Sequence, residues 1–92
     1  MVKVFIVYER EPDPERYARH VEVSRAVPGA RFRHGRVFAN PFGEPDFAYY
    51  AEFEFDDMQS FRATVRTPEW TGSGEDAARL GVPFRVHFAE LT

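Results

Sequence analysis

The stretch FAYYAEFEF, residues 47–55, constrains the fold more than any other part of this chain. It alternates as a half-buried strand does. Phe47, Tyr49, Ala51, Phe53 and Phe55 share one face, and Ala48, Tyr50, Glu52 and Glu54 share the other. Only the first set can face a core, so the helices of the domain must lie on that side of the sheet. The second set looks away from them.

The remaining segments supply the partners. VKVFIVYE (2–9) is apolar and β-branched on both faces, which suits a central strand. Asp13-Pro14 reads as an N-cap followed by proline at the first helical position, and Pro28-Gly29 stops that helix after about Val27. ARFRHGRVFA (30–39) is a second strand and NPFGEPD (40–46) a turn. DDMQSFRATVR (56–66) reads as a helix with Asp56 as cap, Gln59 as its capping-box partner, and Met58, Phe61 and Val65 on one stripe. TPEW interrupts it. SGEDAARLG (73–81) reads as a further helix, with Ser73 as cap, Asp76 at the third helical position and Gly81 as terminator. VPFRVHFAEL (82–91) is a last strand, with Val82, Phe84, Val86 and Phe88 toward the helices and Arg85 and His87 away. The order βαββα(α)β predicts one domain, residues 1–92, built as an α+β sandwich with helices on one face of an antiparallel sheet.

The face away from the helices gathers Tyr50, Glu52, Arg85 and His87 with apolar residues of the first strand, either Phe5 and Val7 or Val4 and Ile6. Large apolar groups beside matched charges predict self-association, a homodimer joined through the sheet face. Ten Phe, four Tyr and one Trp also exceed what so small a core requires, so some must pack on another subunit or line a pocket. RNA-recognition-motif domains share this element order, but Glu52 and Glu54 occupy the face where such a domain needs its second apolar set. With a net charge of −3 and a pI near 5.6, no nucleic-acid partner is expected. The absence of Cys excludes disulfides, thiolate catalysis and Cys-ligated metals. No apolar run reaches transmembrane length, and the expectation is a cytoplasmic protein with no membrane partner.

The first helix carries the candidate chemistry. Val23, Val27, His20, Ser24, Tyr17 and Val21 occupy one arc, with His20 and Ser24 at its centre. Two readings follow. Either the imidazole is bonded to a backbone carbonyl or to Ser24 and serves packing alone, or it projects into a pocket between helix and sheet. In the second reading Tyr8, Ser24, Tyr49 and Trp70 complete the pocket, and His20 is the catalytic candidate, orienting or deprotonating a small ligand. His34 and His87 do not converge on His20 by parity, and no His or carboxylate spacing marks a metal site, so neither metal nor cofactor is expected. A Ser/His/acid triad lacks an inward carboxylate, because Asp56-Asp57 and Glu75-Asp76 read as helix starts.

HVEVSRAVPG (20–29) resembles the His-x-Pro-Leu…Pro-Gly segment of EthD-domain proteins, members of the dimeric α+β barrel (ferredoxin-like) superfamily, with Glu22-Val23 standing at the Pro-Leu positions. DPERY (13–17) resembles the family's helix start. TPEW…EDAARLG resembles its Ser/Thr-Pro-Glu segment and the Asp-containing helix after it. The resemblance implies a ferredoxin-like βαββαβ homodimer joined through its sheets and places the family's histidine at His20. It implies small-molecule metabolism without an assigned reaction: a small apolar or aromatic metabolite held around His20, with cofactor-independent proton transfer or oxygenation as the chemistry. A cofactor-free monooxygenase or a haem-handling protein on the same fold is one alternative. A non-catalytic dimeric binding or structural module, with His20 a satisfied core residue, is the other.

Overall fold

The computed structural model describes residues 1–92. Strand β1 (Val2–Tyr8) alternates buried and half-buried residues along its whole length, which settles its orientation: Val2, Val4, Ile6 and Tyr8 face the helices, and Lys3, Phe5 and Val7 face away. It pairs antiparallel with β3 (Tyr49–Phe55) on one side and β4 (Phe84–Glu90) on the other, and β2 (Arg31–Arg36) pairs with β3. The sheet order is β2-β3-β1-β4. Phe32, Ala51, Phe53 and Phe55 join the β1 residues in the core, as the parity of the third strand requires. Phe47 departs from that parity because it precedes the strand. The Arg85 guanidinium lies over its ring, 5.9 Å from the centroid.

Helix α1 (Pro14–Arg25) begins as expected, with the Asp13 carboxylate accepting from the Arg16 N–H at 2.9 Å. It buries Tyr17, His20, Val21 and Ser24, while Val23 sits at the edge of the arc, 37% exposed. Gly29 ends the segment at φ 71°, and a Cβ there would stand 3.1 Å from Thr64 Oγ1, which donates to the Pro28 carbonyl. Both the backbone angle and the close approach call for glycine.

The two helix starts on the second half of the chain differ from the expected ones. Helix α2 (Met58–Thr64) is capped by Asp57, which accepts from the Ser60 N–H at 2.7 Å; Asp56 accepts from Arg31 instead. Helix α3 (Pro68–Ala78) begins well before Ser73. Thr67 is its N-cap and Pro68 lies in its first turn, so TPEW opens a helix rather than interrupting one. Ser73 is therefore inside α3 and buried. No helix is long and apolar enough to cross a membrane.

The face away from the helices carries a charged network around a buried glutamate. Glu52 is only 5% exposed, with its carboxylate accepting from Lys3, Arg33 and the Tyr50 hydroxyl. Burial pushes its carboxyl upward, but those three donors outweigh it and hold the group below the ordinary carboxylate range. Glu54 is held low as well, chiefly by Arg31. His87 takes no part in this network; its ring lies 5.3 Å from that of Phe5. A carboxylate depressed in the folded state stabilises it above the unfolded pKa and loses that contribution as pH falls through the folded one. Chemical denaturation is thus expected to show stability constant near neutrality and declining below about pH 4.

These elements form a ferredoxin-like βαββαβ sandwich, with three helices on one face of a four-stranded antiparallel sheet. The cover is incomplete at the β4 edge, where Val86 and Phe88 face the helix side yet remain 43% and 62% exposed.

Candidate functional site

Helix α3 turns Trp70, Ser73, Gly74 and Ala77 toward the sheet, the i, i+3, i+4, i+7 face of a helix. Three of the four are small, so the helix cannot fill the space beneath it. A cavity of about 110 Å³ remains between α3 and the sheet, floored by Val4, Ile6, Ala51 and Phe53. Tyr8, Phe84 and Trp70 supply aromatic walls, and the mouth borders Val86 on the uncovered edge strand. Ten of the thirteen lining residues are hydrophobic, so the few polar ones, His20 and Ser73 among them, decide what the cavity can do.

His20 is 3% exposed and fully partnered. Its Nδ1 lies 2.7 Å from Asp76 Oδ2. The Arg16 guanidinium grips the same carboxylate in a two-point contact, 2.6 Å to Oδ1 and 3.3 Å to Oδ2. On the other side of the ring, Ser24 Oγ lies 3.3 Å from Nε2 and 3.0 Å from Ser73 Oγ. The Arg16 guanidinium, aided by His20 and opposed by partial burial, holds the Asp76 carboxyl below its usual range. A carboxylate only accepts, so the ring hydrogen belongs to Nδ1 and Nε2 is the basic nitrogen.

This geometry overturns the expectation that no carboxylate faces the imidazole. Asp76 looked like a helix-start residue only because α3 was expected to begin at Ser73. With the helix starting at Pro68, Asp76 falls in its C-terminal half, on the side toward α1. The Ser24, His20 and Asp76 set is still not a nucleophilic triad: Ser24 is 1% exposed and does not line the cavity.

The predicted pocket residues fall in three places. Tyr8, His20 and Trp70 line the cavity together. Ser24 stands behind His20. Tyr49 lies in a different groove, beyond Tyr17, where its hydroxyl is 2.6 Å from His34 Nδ1. Tyr17 sits between the two, its ring 5.3 Å from that of His20 and its buried hydroxyl without a hydrogen-bond partner. Burial pushes the phenols of both Tyr8 and Tyr17 upward, so both are neutral at physiological pH. Sequence reasoning missed Arg16, Ser73 and Asp76. The signal that would have found the last two was Thr67-Pro68, a cap and first-turn proline.

The chain matches the family model of the EthD domain over residues 9–80. Among solved structures, it is similar to an EthD family protein from Bacillus halodurans C-125, with 28% identity over 100% of this chain and 99% of that one and a TM-score of 0.81. A dimeric ferredoxin-like protein of unknown function from Jannaschia sp. CCS1 is 17% identical over 98% of each chain, with a TM-score of 0.72. A cofactor-independent oxygenase from Streptomyces nogalater is 16% identical over 99% of this chain and 92% of its own, with a TM-score of 0.61. At these lower identities the likeness is one of fold. No curated protein matches the chain in sequence.

Proposed function

The chain belongs to the EthD family, and from that membership we propose that it is a homodimeric protein that holds a small, largely apolar molecule in the cavity under α3 and takes a proton from it with His20. The observation that carries this reading is a buried imidazole, oriented by Asp76, at the wall of an otherwise apolar cavity. Asp76 fixes the ring with Nε2 as the basic nitrogen and stabilises the imidazolium that proton transfer creates. Arg16 keeps Asp76 ionised throughout. The chemistry is proton transfer without a cofactor. A porphyrin does not fit a cavity of about 110 Å³, and both ring nitrogens of His20 already have partners, so the residues present do not suit haem.

Self-association is supported by the half-buried Phe5 and Val7 on the face away from the helices, and by the dimeric description of the ferredoxin-like structure from Jannaschia. One observation favours a non-catalytic binding module instead: the hydrogen bonds of His20 are complete without a ligand.

Trp70 is the only tryptophan and lines the cavity, so its emission reports occupancy directly. Titration with single-ring aromatics is expected to change Trp70 fluorescence saturably. Ala77→Leu, which fills the cavity from α3, is expected to weaken that response by at least about tenfold with the fold intact. A linear, unsaturable response in the parent protein, or an unchanged midpoint in Ala77→Leu, would refute ligand binding at this cavity.

A further inference from the structure

The hydrogen bonds around His20 have a single consistent direction while the imidazole is neutral. Nδ1–H donates to Asp76, so Nε2 offers one lone pair and no hydrogen. Its partner Ser24 must therefore donate to it. A hydroxyl has only one hydrogen, so the contact between Ser24 and Ser73 is an acceptance by Ser24, and Ser73 is the donor. Each hydrogen in the chain is thus committed in the direction of Asp76. What Ser73 retains for the cavity it lines is its oxygen lone pairs.

Position reinforces direction. Ser24 does not line the cavity, yet it occupies the one in-plane lone pair of Nε2. Ser73 reaches both the cavity and Ser24. We propose that Ser73 and Ser24 form a proton wire through which a hydroxyl-bearing ligand, a small phenol or enol, passes its proton to His20; this rests on the binding of a small molecule at the cavity. The ligand O–H breaks as its proton moves to Ser73 Oγ. The Ser73 proton moves to Ser24 Oγ, and the Ser24 proton to Nε2. The products are the ligand oxyanion and an imidazolium paired with Asp76, with no atom or electron gained or lost.

The transfer also reverses the wire. Nε2–H now donates to Ser24, Ser24 donates to Ser73, and Ser73 donates to the oxyanion. The hydroxyl that received the proton becomes the donor that stabilises the anion. This selects the ligand class. In the neutral state Ser73 has no hydrogen to offer, so it favours a ligand that donates from O–H over an ether or ketone, which only accepts.

The test uses 4-nitrophenol, whose phenolate is yellow, near neutral pH. Quenching of Trp70 reads binding, and the excess of phenolate over that in buffer reads proton transfer. The parent protein is expected to show both. Ser24→Ala leaves the cavity wall untouched, so it should bind within about twofold of the parent while losing the excess phenolate at least about tenfold. Ser73→Ala should lose the excess likewise, and Ser73→Thr, which keeps the hydroxyl, should restore it. Ser24→Cys provides a size-matched weak donor if the alanine variant does not fold. Full excess phenolate in Ser24→Ala or Ser73→Ala would overturn the wire and leave direct transfer to His20. Quenching without excess phenolate in the parent protein would also overturn it. Absence of quenching in the parent protein is a separate outcome, which overturns the binding reading itself.

Discussion

Replacing Asp76 by alanine is expected to lower the unfolding temperature by about 10 °C. The loss comes from His20. At 3% exposure it cannot turn its Nδ1–H to water, and a buried donor left unpaired costs about 1–3 kcal/mol. In a domain of this size each kcal/mol moves the transition by roughly 4–8 °C. Asp76→Asn keeps an oxygen that accepts from Nδ1, so most of the loss should be recovered in that variant. Calorimetry of the three proteins checks the ranking; equal midpoints for Asp76→Ala and the parent would show that the carboxylate does not hold the ring. Acid should shrink the gap. The Asp76 carboxyl is depressed in the folded protein, first by Arg16, so the part of its contribution that depends on charge is present above the ordinary carboxylate range and is lost as pH falls through the folded value. As the pH falls from about 4 through the folded value, the parent should decline toward the level of Asp76→Asn and stay above Asp76→Ala.

The second large effect is on assembly. Val7→Glu is expected to turn the proposed dimer into a monomer, raising the dissociation constant at least about a thousandfold. Val7 lies on the face away from the helices, paired across the strands with Tyr50 and Arg85. In an isolated protomer the new carboxylate gains Arg85 as a neighbour, so the fold should tolerate it. In a face-to-face dimer the same carboxylate must be desolvated, and symmetry buries a second one with it. Phe5→Glu would be a poorer probe, because Glu52 stands directly across from it and repulsion would damage the protomer as well. Sedimentation or light scattering at micromolar concentration reads the outcome. A parent protein that is itself monomeric would remove the sheet face as an interface.

The sheet was legible because strand parity is a strict rule. Glu52 and Glu54 could not both be core residues, so one face was assigned by elimination, and the alternation of β1 followed the same logic once its burial was known. The centre of the α1 arc was legible too, because Tyr17, His20, Val21 and Ser24 recur at helical spacing. The cavity was not. It exists because Ser73, Gly74 and Ala77 are small on a face that only appears once α3 is known to begin at Pro68. Taking that proline for a breaker also hid Asp76, whose meeting with Arg16 and His20 depends on how α3 crosses α1. Such a crossing is set by packing between distant segments, which local propensity does not encode.

The order in which the strands are made differs from the order in which they are needed. Of the four strands β1 is synthesised first but sits between β3 and β4, and its outer ladder joins Val2 to Glu90 of the strand made last. The Leu91 N–H even donates to the Met1 carbonyl, at 2.8 Å. On the ribosome, the apolar strand that becomes the middle of the sheet must therefore wait with one edge bare until β4 emerges. Long-range closure of this kind slows folding and leaves an open template for pairing between nascent chains. A chain released after Gly81 would hold every helix and the whole His20 hydrogen-bond set, yet display that edge permanently.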